Sequence, residues 1–127
     1  MSDARAKALV VEDDATTRTL LTGLLESIDV DVDIAVDGEE ALVKIRASDY
    51  DVVLLDIVLP KMSGIDVMES LRRDNPHILG CIIVVTGLAV REIRTLFPAV
   101  HETLSKPVIP NRLRQAVRSC LRPSRTD

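Results

Sequence analysis

Four groups of polar residues in this chain could do chemistry together: Glu12-Asp13-Asp14, Asp56, Thr86 and Lys106. Each ends or follows a short run that reads as a strand: Ala8-Leu9-Val10-Val11, Val52-Val53-Leu54-Leu55, Cys81-Ile82-Ile83-Val84-Val85 and Thr103-Leu104-Ser105. Carboxylates gathered in one pocket repel one another unless a cation joins them. Oxygen-only ligands select a hard ion, and Mg2+ takes one or two carboxylates plus water and phosphate oxygens. A lysine ammonium adds a compact positive charge that can pair with phosphate. A threonine hydroxyl offers a further donor. Such parts suit phosphoryl transfer, where positioning and charge neutralisation do most of the catalysis. A carboxylate can itself be the nucleophile, giving an acyl phosphate. Asp56, a lone acid closing four apolar residues, is the candidate. Asp14 reads instead as the cap of the following helix.

The elements that must position these groups alternate along the chain. Runs of four or five Val, Ile and Leu, bounded by polar residues, read as strands buried on both faces. Residues 30–36 alternate with Asp31 and Asp33, as a half-exposed strand near an edge would. Leu20, Leu21, Leu24, Leu25 and Ile28 recur at helical spacing, as do Ala41, Leu42 and Ile45. Ile65, Met68 and Leu71 mark a third helix, ended by Asn75-Pro76. Residues 89–97 suggest a weaker fourth helix. Leu113, Ala116, Val117, Cys120 and Leu121 mark the last, with Pro110 in its first turn. Five β-α units in strict alternation predict an α/β fold, a five-stranded parallel sheet with helices on both faces. The carboxyl ends of parallel strands share one rim, so the four polar groups should converge there.

Length and composition bound the rest. The 127 residues suffice for one domain with a real core. No linker or repeat divides them; the expected core covers about 7–121, with a short tail over 122–127 and no attached output domain. No run of eighteen apolar residues offers a membrane span, and the amino terminus is not a signal peptide, so a cytoplasmic setting is expected. Cys81 and Cys120 fit no metal spacing and read as small core residues in a reducing compartment. Residues 1–60 carry 14 acids and 5 bases; residues 61–127 carry 6 acids and 11 bases. Such asymmetry can mean an acidic partner, but a solvated helix face is its commoner meaning. His77 and His101 read as loop or surface histidines.

The matching pieces Val10-Val11-Glu12-Asp13-Asp14, Leu54-Leu55-Asp56, Leu59-Pro60 with Ser63-Gly64, Val84-Val85-Thr86-Gly87 and Ser105-Lys106-Pro107 resemble the receiver domains of two-component response regulators. The resemblance runs from about Lys7 to Leu121. It implies a doubly wound, flavodoxin-like (βα)5 sheet in the order 2-1-3-4-5. It implies that Asp56 accepts a phosphoryl group from a histidine kinase or histidine phosphotransfer protein. Asp13 would then hold Mg2+ (or Mn2+) beside Asp56, with Glu12 shaping the same acidic pocket and the Val58 carbonyl completing the ligands. Thr86 and Lys106 would hold the new phosphate, and Lys106-Pro107 becomes a candidate cis peptide. The implied role is a signalling switch that phosphorylates and dephosphorylates itself, not an enzyme. The fourth helix, fifth strand and fifth helix would form its switched protein-binding surface, with Arg114 and Arg118 one turn apart on one face. A homodimer through that surface is an alternative to an unidentified downstream protein. Direct DNA binding is not expected, because the chain is acidic and lacks a recognition-helix module.

Three positions depart from the family's habit. Thr103 stands where members usually carry Tyr or Phe, three residues before the lysine, so the aromatic readout of the switch is missing. Val58 and Leu88 border the path of the hydrolytic water in the family, and both are apolar here, which predicts slow loss of the phosphoryl group. Two other functions compete: a pseudo-receiver that binds partners without phosphorylation, and a phosphohydrolase passing through an aspartyl phosphate. The second needs an acid two residues after the nucleophile, where Val58 stands.

Overall fold

The computed structural model describes residues 5–87 and 90–121. Five parallel strands, β1 (Lys7–Val11), β2 (Asp31–Ala35), β3 (Val52–Leu55), β4 (Ile82–Thr86) and β5 (Glu102–Ser105), form one sheet in the order β2-β1-β3-β4-β5. The helices are α1 (Ala15–Glu26), α2 (Gly38–Ala47), α3 (Gly64–Asp74), α4 (Val90–Leu96) and α5 (Pro110–Leu121). The fold class and strand order match the expectation. Register is regular, with Val10 opposite both Ile34 and Leu54, and Val84 opposite Leu55 and Thr103.

Side-chain alternation along the strands divides the core in two. Leu9, Val11, Val53, Leu55, Ile82 and Val84 meet α2, α3 and α4, through residues such as Leu42, Met68, Ile93 and Phe97. Ala8, Val10, Val52, Leu54, Ile83 and Val85 meet α1 and α5, through Leu21, Leu25, Leu113 and Val117. Both faces of β3 are covered, which is why its sequence is apolar without alternation. Each such Val or Leu stabilises the fold by about 1.5–3 kcal/mol.

Three helices start on side-chain caps. Asp14 accepts from the Thr17 N–H at 2.8 Å, Asp37 from Glu40 at 2.8 Å, and Ser63 from Asp66 at 3.1 Å. Each cap is worth about 1 kcal/mol. The Asp14 cap also fixes the direction in which the chain leaves β1, and so where Glu12 and Asp13 lie.

Several sequence expectations need correction. β2 is shorter than residues 30–36, since Val30 turns into the core beside α1 and Val36 lies outside the ladder. A 3-10 turn, Pro76–Cys81, stands between α3 and β4, where the sequence suggested only a break. β5 begins at Glu102 rather than Thr103. Cys81 and Cys120 are half-buried rather than fully buried, Cys120 packing against the edge of the core and Cys81 lying outside it. Cys81 closes the 3-10 turn before the buried strand begins, and Cys120 lies in the last turn of α5. Leu88, Ala89 and the tail 122–127, with its Pro123, lie outside the described residues.

Candidate functional site

Strand ends bring the polar groups together as the parallel sheet requires. Glu12 and Asp13 follow β1, Asp56 follows β3, Thr86 ends β4 and Lys106 follows β5. Backbone bonds lock these exits side by side. The Asp56 N–H donates to the Val11 carbonyl at 3.1 Å, Glu12 to Ala35 at 3.1 Å, and Lys106 to Thr86 at 2.8 Å. One carboxylate oxygen from each of Glu12, Asp13 and Asp56 lies within 4.8 Å of the other two. Glu12 is 1% exposed and Asp56 6%, while Asp13 is open to solvent.

The charges are balanced by one lysine. Lys106 Nζ donates to Asp56 Oδ2 at 3.0 Å and to Glu12 Oε1 at 3.1 Å. The other Glu12 oxygen accepts from the Asp14 N–H at 3.1 Å. Asp56 Oδ1 accepts from the Ile57 N–H at 2.6 Å and the Val58 N–H at 3.3 Å. These three hydrogen bonds to the Asp56 carboxylate all come from donors. Burial pushes the Glu12 carboxyl above its ordinary value, and the neighbouring Asp56 charge adds to this; the Asp14 amide and Lys106 oppose it. Burial works against the Lys106 ammonium, but hydrogen bonds to Asp56 and Glu12 and their negative charge outweigh it, so its pKa is raised.

An all-oxygen set on three carboxylates, two of them buried, fits a hard divalent cation. A buried Glu12 whose proton affinity is raised also gains from a second positive charge nearby. The Val58 N–H turns toward Asp56, while its side chain is 55% exposed at the rim. The peptide between Lys106 and Pro107 is cis. Thr86 is fully buried at the end of its strand.

Thr103 is 1% exposed, and its hydroxyl has no partner among the described residues. It lies opposite Val84, so its side chain is on the α4 side of the sheet. Its carbonyl accepts from Arg94 Nη2 at 3.0 Å. A groove of about 310 Å³ opens beside it, lined in part by Arg94, Phe97 and Val100. On α5, Arg118 is exposed and Arg114 is half-buried, donating to Asn111 Oδ1 at 2.8 Å. His77 is exposed and His101 half-buried, both away from the acids.

The roles of two residues were not recognised from the sequence. Arg18 Nη1 donates to the carbonyls of Glu12 at 3.0 Å and Asp13 at 3.3 Å, tying the acidic loop to α1. An arginine four residues after the capping Asp14, one turn into the helix, was the available signal. Gly64 is the other: a Cβ there would lie 2.4 Å from the Asp56 carbonyl oxygen. Only a glycine lets α3 start that close to the strand carrying Asp56.

The profile of the response regulator receiver domain matches residues 8–118. The DNA-binding response regulator MtrA of Mycobacterium tuberculosis is 35% identical over 122 residues, covering 96% of this chain and 53% of the relative. The chain thus spans about half the length of the curated relatives it matches. Among solved structures, the receiver domain of a Pseudomonas aeruginosa sensor histidine kinase, with magnesium coordinated in its active-site cleft, superposes with a TM-score of 0.82 at 25% identity. That match covers 93% of this chain and 98% of the other. The response regulator TrrA of Thermotoga maritima, in complex with Mg2+ and BeF, gives a TM-score of 0.80 at 31% identity over 91% and 99%. Matching sequence and matching topology agree: the chain belongs to the response regulator receiver domain family of two-component signalling.

Proposed function

We propose that Asp56 is the phosphoacceptor of this receiver domain and that its donor is a phosphohistidine on a kinase or phosphotransfer protein. An Asp56 oxygen attacks phosphorus, the new O–P bond forms as the N–P bond breaks, and the imidazole nitrogen keeps the electron pair and takes a proton. Asp56 becomes an acyl phosphate. The two backbone amides on Oδ1 hold the carboxylate in a fixed orientation, which removes the entropy of aligning it. Lys106 already reaches Oδ2 and can follow the added negative charge onto the phosphoryl group. Thr86 supplies a hydroxyl donor from the next strand. Glu12, Asp13, Asp56 and the Val58 carbonyl are the groups that would hold Mg2+, with Mn2+ as a substitute, and when bound it neutralises charge on the transferring oxygens.

The carrying observation is the Lys106 ammonium set between Asp56 and Glu12 within 3.1 Å of each. A pseudo-receiver would have no need of this balanced cluster. Turnover of phosphate esters is not proposed, because Val58 offers no acid to protonate a leaving group. The domain thus acts as a switch and not as an enzyme. Added charge at this rim biases the surface of α4, β5 and α5, where Arg114 and Arg118 face a protein partner or a second copy. The reading places the domain in the cytoplasm; among the described residues no helix is long and apolar enough to cross a membrane. The test is labelling by acetyl phosphate. Wild type with Mg2+ should gain one phosphoryl group, and both Asp56→Asn and wild type in a chelator should gain none. Equal labelling of Asp56→Asn would overturn the assignment.

A further inference from the structure

Two thiols face each other's surroundings at the end of the sheet away from Asp56. Cys81 ends the 3-10 turn that leads into β4, and Cys120 sits in the final turn of α5. Both line one cavity of about 530 Å³, shared with Arg5, Tyr50 and Asp51. Cys120 Sγ lies 4.0 Å from the Gly80 carbonyl oxygen, on the peptide that enters Cys81, and 3.8 Å from the Asp51 carbonyl oxygen. The 127 residues hold two cysteines, these two.

We propose that Cys81 and Cys120 form an oxidisable dithiol pair, which closes to an intramolecular disulfide when a peroxide supplies the oxidising equivalents. One thiol, as its thiolate, attacks the peroxide oxygen and becomes a sulfenic acid, releasing water. The second thiol attacks that sulfur, the S–S bond forms, and a second water leaves. Two thiols lose two electrons in total and the peroxide gains them. The bond joins the start of β4 to the end of α5, so α4 and β5 lie inside the closed loop. It forms at the opposite rim from Glu12, Asp13 and Asp56 and leaves those groups untouched.

The surroundings set the rate. Burial pushes both thiols upward, Cys120 to about 11, with the Asp51 charge adding to each and the Cys81 charge adding to Cys120. Among the described residues, Arg5, whose guanidinium is engaged with Asp29 and Asp31, the Lys7 amide bonded to Asp51, and Tyr50, with the Lys7 ammonium over its ring, are polar neighbours at this end. Little thiolate exists at neutral pH, so the pair closes under sustained oxidant and ignores brief exposure.

The test treats the reduced full chain with hydrogen peroxide for hours, then blocks remaining thiols with an alkylating reagent and maps peptides by mass spectrometry. Both thiols should disappear together into a Cys81–Cys120 crosslinked peptide in monomeric protein, reversed by dithiothreitol. Cys81→Ser and Cys120→Ser should each leave a sulfenic acid, trapped by a dimedone-type reagent, and no intramolecular crosslink. Oxidation of one cysteine while the other is still alkylated, over-oxidation to sulfinic acid without crosslink, or a disulfide-linked dimer as the main product would each overturn the proposal.

Discussion

Replacing Lys106 by methionine removes the ammonium that bridges Asp56 and Glu12 and keeps the stem's apolar length. At 3.0 and 3.1 Å, each ion pair carries about 5 kcal/mol of gross attraction at an effective dielectric of ~20. Much of this is offset by desolvation of the ammonium and of Glu12. The Lys106 side chain is also 26% exposed, so water screens it. Breaking a fully buried pair costs about 3–5 kcal/mol; a partly exposed one should cost about 1–3 kcal/mol. Urea unfolding followed by circular dichroism, in chelator at neutral pH, reads that loss directly. The Lys106 contribution is complete below its unfolded value of 10.5 and is lost as pH rises through the raised folded value, so neutral pH captures all of it. Mg2+ should then act unequally. The variant's cluster keeps three carboxylates with no ammonium, and a tenfold gain in Mg2+ affinity, about 1.4 kcal/mol, is expected. Saturating Mg2+ should therefore stabilise Lys106→Met by about 1.4 kcal/mol more than wild type. Equal stability of the two proteins in chelator, or equal Mg2+ increments, would refute the electrostatic account of the site.

Other expectations concern single side chains. Gly64→Ala forces a Cβ against the Asp56 and Ile57 backbone, at 2.4 and 2.8 Å, and should cost about 1–3 kcal/mol while slowing acetyl phosphate labelling. Gly23→Ala, in open space on α1, is the control and should hold or raise the urea midpoint; an unchanged Gly64→Ala would show the approach is not tight. Tyr50, the only tyrosine, is pushed up to about 12 by burial and by its hydrogen bond to Asp33. The folded state holds that proton where the unfolded state, near 10, releases it, so stability should fall as pH rises between the two values. Phenolate absorbance of the native protein should show the inflection near 12, and an inflection near 10 would contradict the structure. Val58→Asn and Leu88→Glu should each speed loss of the phosphoryl group roughly tenfold, less than a true general base gives. Unchanged decay in both would remove the apolar side chains at positions 58 and 88 as the cause of a long lifetime.

Much of this was legible because a sheet covered on both sides writes itself into sequence. Val52 to Leu55 and Ile82 to Val85 cannot alternate with polar residues, so strand identity and burial arrive together, and the acid or hydroxyl that follows marks the rim. β2 was blurred at its ends because Val30 and Val36 are apolar for different reasons, one packed under α1 and the other exposed beside the α2 cap. Cys120 continues the inward stripe of α5 and packs at the edge of the core while also lining a cavity, so periodicity alone could not show that it is half-buried. Arg18 and Gly64 act through carbonyl oxygens, and backbone partners leave no residue type to read. Thr103 was legible as a departure, but only packing shows that its hydroxyl is buried without a partner among the described residues while Arg94 takes its carbonyl.

Borohydride reduction is the most direct examination of the central claim. It converts an aspartyl phosphate to homoserine, and peptide mass spectrometry then locates the change. After treatment with acetyl phosphate and Mg2+, conversion should fall on Asp56 alone. Conversion at Asp13 instead, or an unmodified peptide spanning residues 47–61 under full labelling conditions, would contradict the account.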